Sequence, residues 1–122
     1  MISKELVQEK FREIQESICS ALSGESGQEF REDQWDYESG DGGGITRIST
    51  GDVIEKGGVN YSALSGSLSE KIASKLKGGD ARDFYAVGVS LVIHPQNPFV
   101  PTVHMNIRYL ERGEKQWFGG GI

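Results

Sequence analysis

The sequence is poor in cysteine, histidine and proline: it holds one, two and three of them among 122 residues. The lone thiol, Cys19, excludes an internal disulfide and a thiolate metal cluster, and it fits a reducing, cytoplasmic setting. No apolar run approaches the roughly 18 residues that a membrane span requires. The opening Met1–Glu5 stretch has neither the basic-plus-apolar pattern of a signal peptide nor the Arg-rich character of a transit peptide. Basic residues are outnumbered, 13 Lys and Arg against 18 Asp and Glu, for a net charge of −5. That balance argues against a general nucleic-acid or membrane-surface binder, which needs a basic face. Apolar residues make up only 36%, so the core must be modest, and the length fits a single domain. Glycine alone is in excess, with 17 residues against an average of about 7%.

The N-terminal segment predicts an amphipathic helix over residues 2–22. Leu6 or Val7, Phe11, Ile14, Ile18 and Leu22 recur every three or four positions, and Ser23-Gly24 supplies a stop. Cys19 lies near that stripe and reads as a small buried side chain. Residues 24–44 are polar and glycine-rich. Ile45–Ser49 and Val53–Lys56 predict a short hairpin around Thr50-Gly51-Asp52, with Gly57-Gly58 ending its second strand. Ser67-Leu68-Ser69-Glu70 has the form of a capping box, followed by a short helix through Leu68, Ile72 and Leu76 to Gly78-Gly79.

Residues 84–110 carry the strongest pattern. Val89, Leu91 and Ile93 alternate with Gly88, Ser90, Val92 and His94. After a loop holding all three prolines, Val103, Met105, Ile107 and Tyr109 alternate with His104, Asn106 and Arg108. The period of two marks two strands with unlike faces, close enough to pair antiparallel. A register with Ser90 opposite Arg108 and His94 opposite His104 makes the apolar faces coincide, whereas a one-residue slip mixes them. Odd-numbered residues are then expected to bury against helices. Ser90, His94, His104, Asn106 and Arg108 are expected to share the other face.

That face combines one hydroxyl, two imidazoles, one amide and one guanidinium. Such a set suits carboxylates: Arg offers a bidentate fork, Asn and Ser add neutral hydrogen bonds, and a histidine exchanges a proton near neutral pH. The plain alternative is a solvated sheet face. A divalent metal on His94 and His104 is a further reading, but no third ligand is evident. The segment Asp41-Gly42-Gly43-Gly44 lacks both dinucleotide and phosphate-loop spacing, and no Gly-x-Ser-x-Gly elbow marks a serine nucleophile. Arg47, Glu55 and Lys56 read mainly as exposed hairpin charges. Trp117-Phe118-Gly119-Gly120-Gly121 is an odd terminus and reads as a chain stopping part-way through a larger domain.

These residues resemble the oxygen-dependent coproporphyrinogen III oxidases of haem biosynthesis. The resemblance covers about residues 30–122. It runs through Gly42–Arg47, Val53–Ser62 and Ala86–Ser90. It continues through Val92-Ile93-His94-Pro95-Gln96-Asn97-Pro98 to His104-Met105-Asn106-Ile107-Arg108-Tyr109, and ends at Trp117–Gly121. It implies an α+β fold, a large flat antiparallel sheet flanked by helices, of which residues 1–122 are one N-terminal portion. It implies conversion of two propionates of coproporphyrinogen III to vinyl groups with O2 as co-substrate, giving protoporphyrinogen IX and CO2. No organic cofactor is expected, and the partner is a second copy in a homodimer. Matching positions imply substrate contacts at Ser90, Asn106, Ile107 and Arg108. For a substrate with four carboxylates, Arg47 or Lys56 is expected as a further anchor on charge alone. They imply His104 as proton donor, and His94 with His104 as candidate metal ligands. Family members run to about 300 residues, and the triple glycine is followed there, after one residue, by an aspartate. A truncated, non-catalytic tetrapyrrole-binding or self-associating module is therefore the competing expectation.

Overall fold

The computed structural model describes residues 2–75 and 81–122. They form helix α1 (Lys4–Ser26), strands β1 (Arg31–Asp36), β2 (Asp41–Ser49) and β3 (Ile54–Ser67), a one-turn helix α2 (Glu70–Ala73), and strands β4 (Asp83–Pro95), β5 (Val103–Arg112) and β6 (Lys115–Gly121). The six strands make one antiparallel sheet in sequence order. The expected α+β class, an antiparallel sheet with a helix on it, is what these residues build.

Helix α1 begins where Ser3 accepts a hydrogen bond from the Leu6 amide, satisfying one of the free N–H groups of the first turn. It passes Ser23-Gly24 and ends at Gly27, whose φ of 71° is a left-handed conformation that only glycine adopts without cost. Its buried residues are Val7, Phe11, Gln15 and Cys19. They pack on Val59, Tyr61, Val87, Val89, Leu91, Ile93 and Tyr109 of β3, β4 and β5. A polar residue therefore sits in the middle of the buried stripe. Gln15 is 1% exposed, and its Nε2 donates to the carbonyls of Ile45 at 2.7 Å and Val59 at 3.1 Å. It ties the helix to β2 and β3.

The structure corrects several boundaries. The Gly57-Gly58 pair does not end a strand. Gly57 is buried inside the 14-residue β3, where a Cβ would lie 3.1 Å from Ile54 and 3.2 Å from Ile93, so glycine is there for close packing. The polar stretch before Gly40 contains β1. Trp117–Gly121 is not a frayed end but most of β6, paired along β5. The N-cap of α2 is Ser69 and not Ser67, and its hydroxyl accepts from the Ile72 amide. The expected helix end at Leu76 to Gly79 lies outside the described residues.

The β4–β5 register also differs from expectation, by two residues. Ser90 faces Asn106, Gly88 faces Arg108 and Val92 faces His104. Alternation fixes only whether paired residues share a face. A shift by two leaves every side chain on its own side, so the connecting loop selects among such registers. The face assignment survives: Val87, Val89, Leu91, Ile93 and Tyr109 are buried on the α1 side, while Ser90, His94, His104 and Arg108 are exposed.

Candidate active site on the face away from helix α1

Pairing across the sheet arranges the face opposite α1 in transverse rows. One row runs Asp33, Thr46, Asn60, Ser90, Asn106, Gly121. The next runs Trp35, Gly44, Ser62, Gly88, Arg108, Gly119. Neighbouring strands are about 4.8 Å apart, and successive rows about 6.7 Å apart. His104, Asn106 and Arg108 therefore stand at successive same-face positions of β5. Each is there because strand alternation puts every second residue on one side.

A depression of about 280 Å³ lies over the middle of this face, lined by Asn60, Ser62, Gly88, Ser90, Arg108 and Leu110 among others. The Arg108 guanidinium has no carboxylate partner among the described residues. Glycines flank it in its own row. A Cβ at Gly119 would meet nothing within 4 Å, and one at Gly88 would make only ordinary contacts. The internal packing of the described residues thus demands glycine at neither position, and their smallness leaves room above the sheet for a bulky ligand to approach.

Charge is partitioned between the two faces. The paired strand positions of the Arg108 face carry Arg31, Lys56, Arg108 and Lys115 against Asp33, with a fifth basic residue, Arg112, buried. The α1 side carries Glu32, Asp36, Asp41, Asp83 and Glu111 against Arg47. A protein with a net charge of −5 thereby presents a locally basic face. Arg112 does not take part in ligand contact. It is 2% exposed, and it donates to the carbonyls of Ala81 and Ala73, pinning the α2 segment.

His94 and His104 are diagonal neighbours, with ring centroids 5.8 Å apart and ring planes at 64°. As a metal centre this pair is incomplete. No group of three or more His, Cys, Asp or Glu is gathered among the described residues, whereas a closed site needs three or four ligands.

Two of the expected substrate contacts are placed differently. Arg47 is on the α1 side, where it pairs with Glu16 and, at 3.1 Å, with Glu32. The guanidinium holds the Glu16 carboxyl below the usual range through its hydrogen bond and charge. The hairpin position of Arg47 could not reveal this, because the strand's parity relative to β3 was not legible across the glycines. Ile107 also points to the α1 side and packs against the core. Only its backbone reaches the depression, with its carbonyl near Gly88. Lys56, by contrast, is opposite His94 on the Arg108 face. Asn60 and Ser62 were missed by the sequence reading. The signal is their alternation with Val59, Tyr61 and Ala63, which the Gly57-Gly58 pair masks by carrying no side chains of its own.

The coproporphyrinogen III oxidase family model matches residues 6–122. This chain belongs to the coproporphyrinogen III oxidase family. Among curated relatives, the oxygen-dependent coproporphyrinogen-III oxidase of Dictyostelium discoideum is 43% identical, the match covering 98% of this chain and 43% of the relative. The Drosophila melanogaster protein of the same name is 49% identical over 89% of this chain and 32% of its own length. That of Prochlorococcus marinus (strain MIT 9312) is 39% identical over 98% of this chain and 35% of its own. The chain thus spans about a third to two fifths of the length of these coproporphyrinogen III oxidases.

Proposed function

We propose that the Arg108 face holds the propionate carboxylates of coproporphyrinogen III and takes part in their oxygen-dependent oxidative decarboxylation to vinyl groups. The single observation that carries this reading is the position of Arg108. It is a guanidinium without an ionic partner among the described residues, at the edge of a depression it shares with Ser90, on the basic side of an acidic chain. Membership of the coproporphyrinogen III oxidase family supplies the substrate class.

Arg108 gives a carboxylate a two-pronged, charge-assisted contact, and Asn106 and Ser90 supply neutral hydrogen bonds one row away. For each side chain the conversion is a two-electron oxidation. The propionate loses CO2 and one β-hydrogen, and two electrons pass to O2. His104, one row beyond Asn106, is the group assigned to move the proton, as its counterpart position in the family resemblance suggests. The electron-rich porphyrinogen is itself the reductant, so the reading needs no organic cofactor. Among the described residues, the two imidazoles of His94 and His104 are what a divalent metal would take. Assembly as a homodimer and a cytoplasmic setting belong to the same proposal. The buried free thiol of Cys19 is compatible with that setting.

The test is turnover. Protoporphyrinogen IX formation from coproporphyrinogen III under O2 is expected to fall at least a hundred-fold in Arg108→Ala and His104→Ala. Unchanged rates in both would refute the assignment. Tight binding without product in the unaltered chain would favour a tetrapyrrole-binding module, the reading that the chain's share of its relatives' length brings forward.

A further inference from the structure

We infer that Asn60 is an additional carboxylate-binding residue of this site, its amide aimed into the depression by a hydrogen-bonded chain from Trp35 through Thr46. The inference rests on the reading of the Arg108 face given above and adds a residue that reading does not use.

Three observations carry it. First, the Trp35 indole lies against Gly44, where a Cβ would stand 2.3 Å from its Cζ2. The absent side chain lets the ring reach along β2, and its Nε1 donates to the Thr46 hydroxyl at 3.0 Å. Second, the Thr46 hydroxyl donates in turn to Asn60 Oδ1 at 2.7 Å. An indole N–H can only donate, so the hydroxyl receives its bond from Trp35 and has its own hydrogen to give. The Asn60 atom that meets that hydrogen is therefore the carbonyl oxygen. Third, Asn60 lines the depression and is paired directly with Ser90, which is paired with Asn106.

With its oxygen taken by Thr46, Asn60 has its two N–H donors left for what lies beside Ser90. A donor-only edge suits an acceptor such as a carboxylate and does not suit a cation or a group that can only donate. The row Asn60, Ser90, Asn106 then presents amide and hydroxyl groups across three strands, beside the guanidinium of Arg108. Trp35 and Thr46 touch no ligand in this arrangement. They are positioning residues, acting by fixing which way the amide points. A side-chain amide free to rotate presents either edge, so the chain's contribution is to remove the wrong orientation before the ligand arrives.

The test is a titration with coproporphyrin III, the fluorescent tetracarboxylate, against the unaltered chain and four variants. Asn60→Asp keeps the shape but replaces the donors with a charge that repels the probe, and it is expected to weaken binding ten-fold or more. Thr46→Val keeps volume but releases the amide, and it is expected to weaken binding several-fold. Thr46→Ser retains the hydroxyl and is expected to stay within two-fold of the unaltered chain, a rescue that a purely structural role for Thr46's bulk would not give. Arg108→Ala is the reference. If it weakens binding while Asn60→Asp stays within two-fold, the inference on Asn60 is overturned and the reading of the face stands. If the unaltered chain binds no probe, both fall. Should Asn60→Asp fail to fold, the side-chain amide resonance of Asn60 in the 15N-labelled unaltered chain decides. A shift on adding coproporphyrin III supports the contact, and an unmoved resonance beside a saturated site overturns it.

Discussion

Replacing Gln15 by methionine keeps the side chain's length and bulk but removes both hydrogen bonds from Nε2 to the carbonyls of Ile45 and Val59. The group is 1% exposed, so water cannot replace them. A typical intramolecular bond contributes about 1 kcal/mol net, and a buried partner left unmade costs about 1–3 kcal/mol. Both acceptors are strand carbonyls with a second lone pair, which puts the loss of the two bonds in Gln15→Met near the low end, at roughly 2 kcal/mol. Gln15→Ala adds a cavity beneath α1 and is expected to cost roughly 2–4 kcal/mol. Urea unfolding, followed by circular dichroism and by tryptophan fluorescence, measures both variants with the slope as a control on two-state behaviour. If Gln15→Met is as stable as the unaltered chain to within 0.5 kcal/mol, the bonds contribute nothing. The helix would then be held by apolar contact alone.

Alkaline stability is expected to depend on Tyr109. Burial, and then its hydrogen bond to the Glu111 carboxylate at 2.6 Å, push the phenol up to about 12. An unfolded tyrosine titrates near 10, so the contribution is whole below about pH 10 and is lost as pH rises through 12. That loss is roughly 2–3 kcal/mol, and Tyr109→Phe is expected to flatten the fall of stability over that window by one proton's worth. An unchanged pH slope in Tyr109→Phe would contradict the assignment. On the same side of the sheet, Arg47 depresses the Glu16 carboxyl, so the pair's contribution is present above the usual carboxylate range and lost on acidification. Carbon-detected titration of Arg47→Ala is expected to show the Glu16 midpoint rising. A midpoint that stays put would assign the depression to Ser20 alone.

Legibility of the fold followed the strength of alternation. The β4 and β5 residues 84–110 combine β-branched side chains with polar partners every second position, so their existence, direction and shared face were readable. Their exact register was not, because a slip of two conserves parity and the deciding loop carries no periodic signal. Strands β1 and β6 were invisible for different reasons. Arg31–Asp36 is charged on both faces, and Phe118 and the glycines after it offer too few side chains to alternate. In α1 the apolar spacing predicted a helix with Leu6 or Val7, Phe11, Ile14, Ile18 and Leu22 on its stripe; the structure buries Val7 and Phe11, packs Ile14, Ile18 and Leu22 partly buried against the core, leaves Leu6 half exposed, and adds Gln15 to the buried set. A glutamine reads as surface until its two donors find strand carbonyls. Of the site, Ser90, His94, His104, Asn106 and Arg108 were brought to one face by parity alone. Ile107 entered through family resemblance, which matches positions and is blind to which side of a sheet a side chain takes, and Arg47 entered only as a further cation.

Those two faces give the most direct measurement. Arg108 and Arg47 are both strand arginines, one open on the basic face and one paired with Glu16 and Glu32 on the other. Coproporphyrin III affinity, read by fluorescence titration, is expected to fall about ten-fold to a hundred-fold in Arg108→Ala, the loss of one charge-assisted contact of about 1.5–3 kcal/mol. It is expected to be unchanged in Arg47→Ala. The reverse result, with Arg47→Ala losing the tetrapyrrole and Arg108→Ala keeping it, would put the ligand on the wrong side of the sheet and contradict the account.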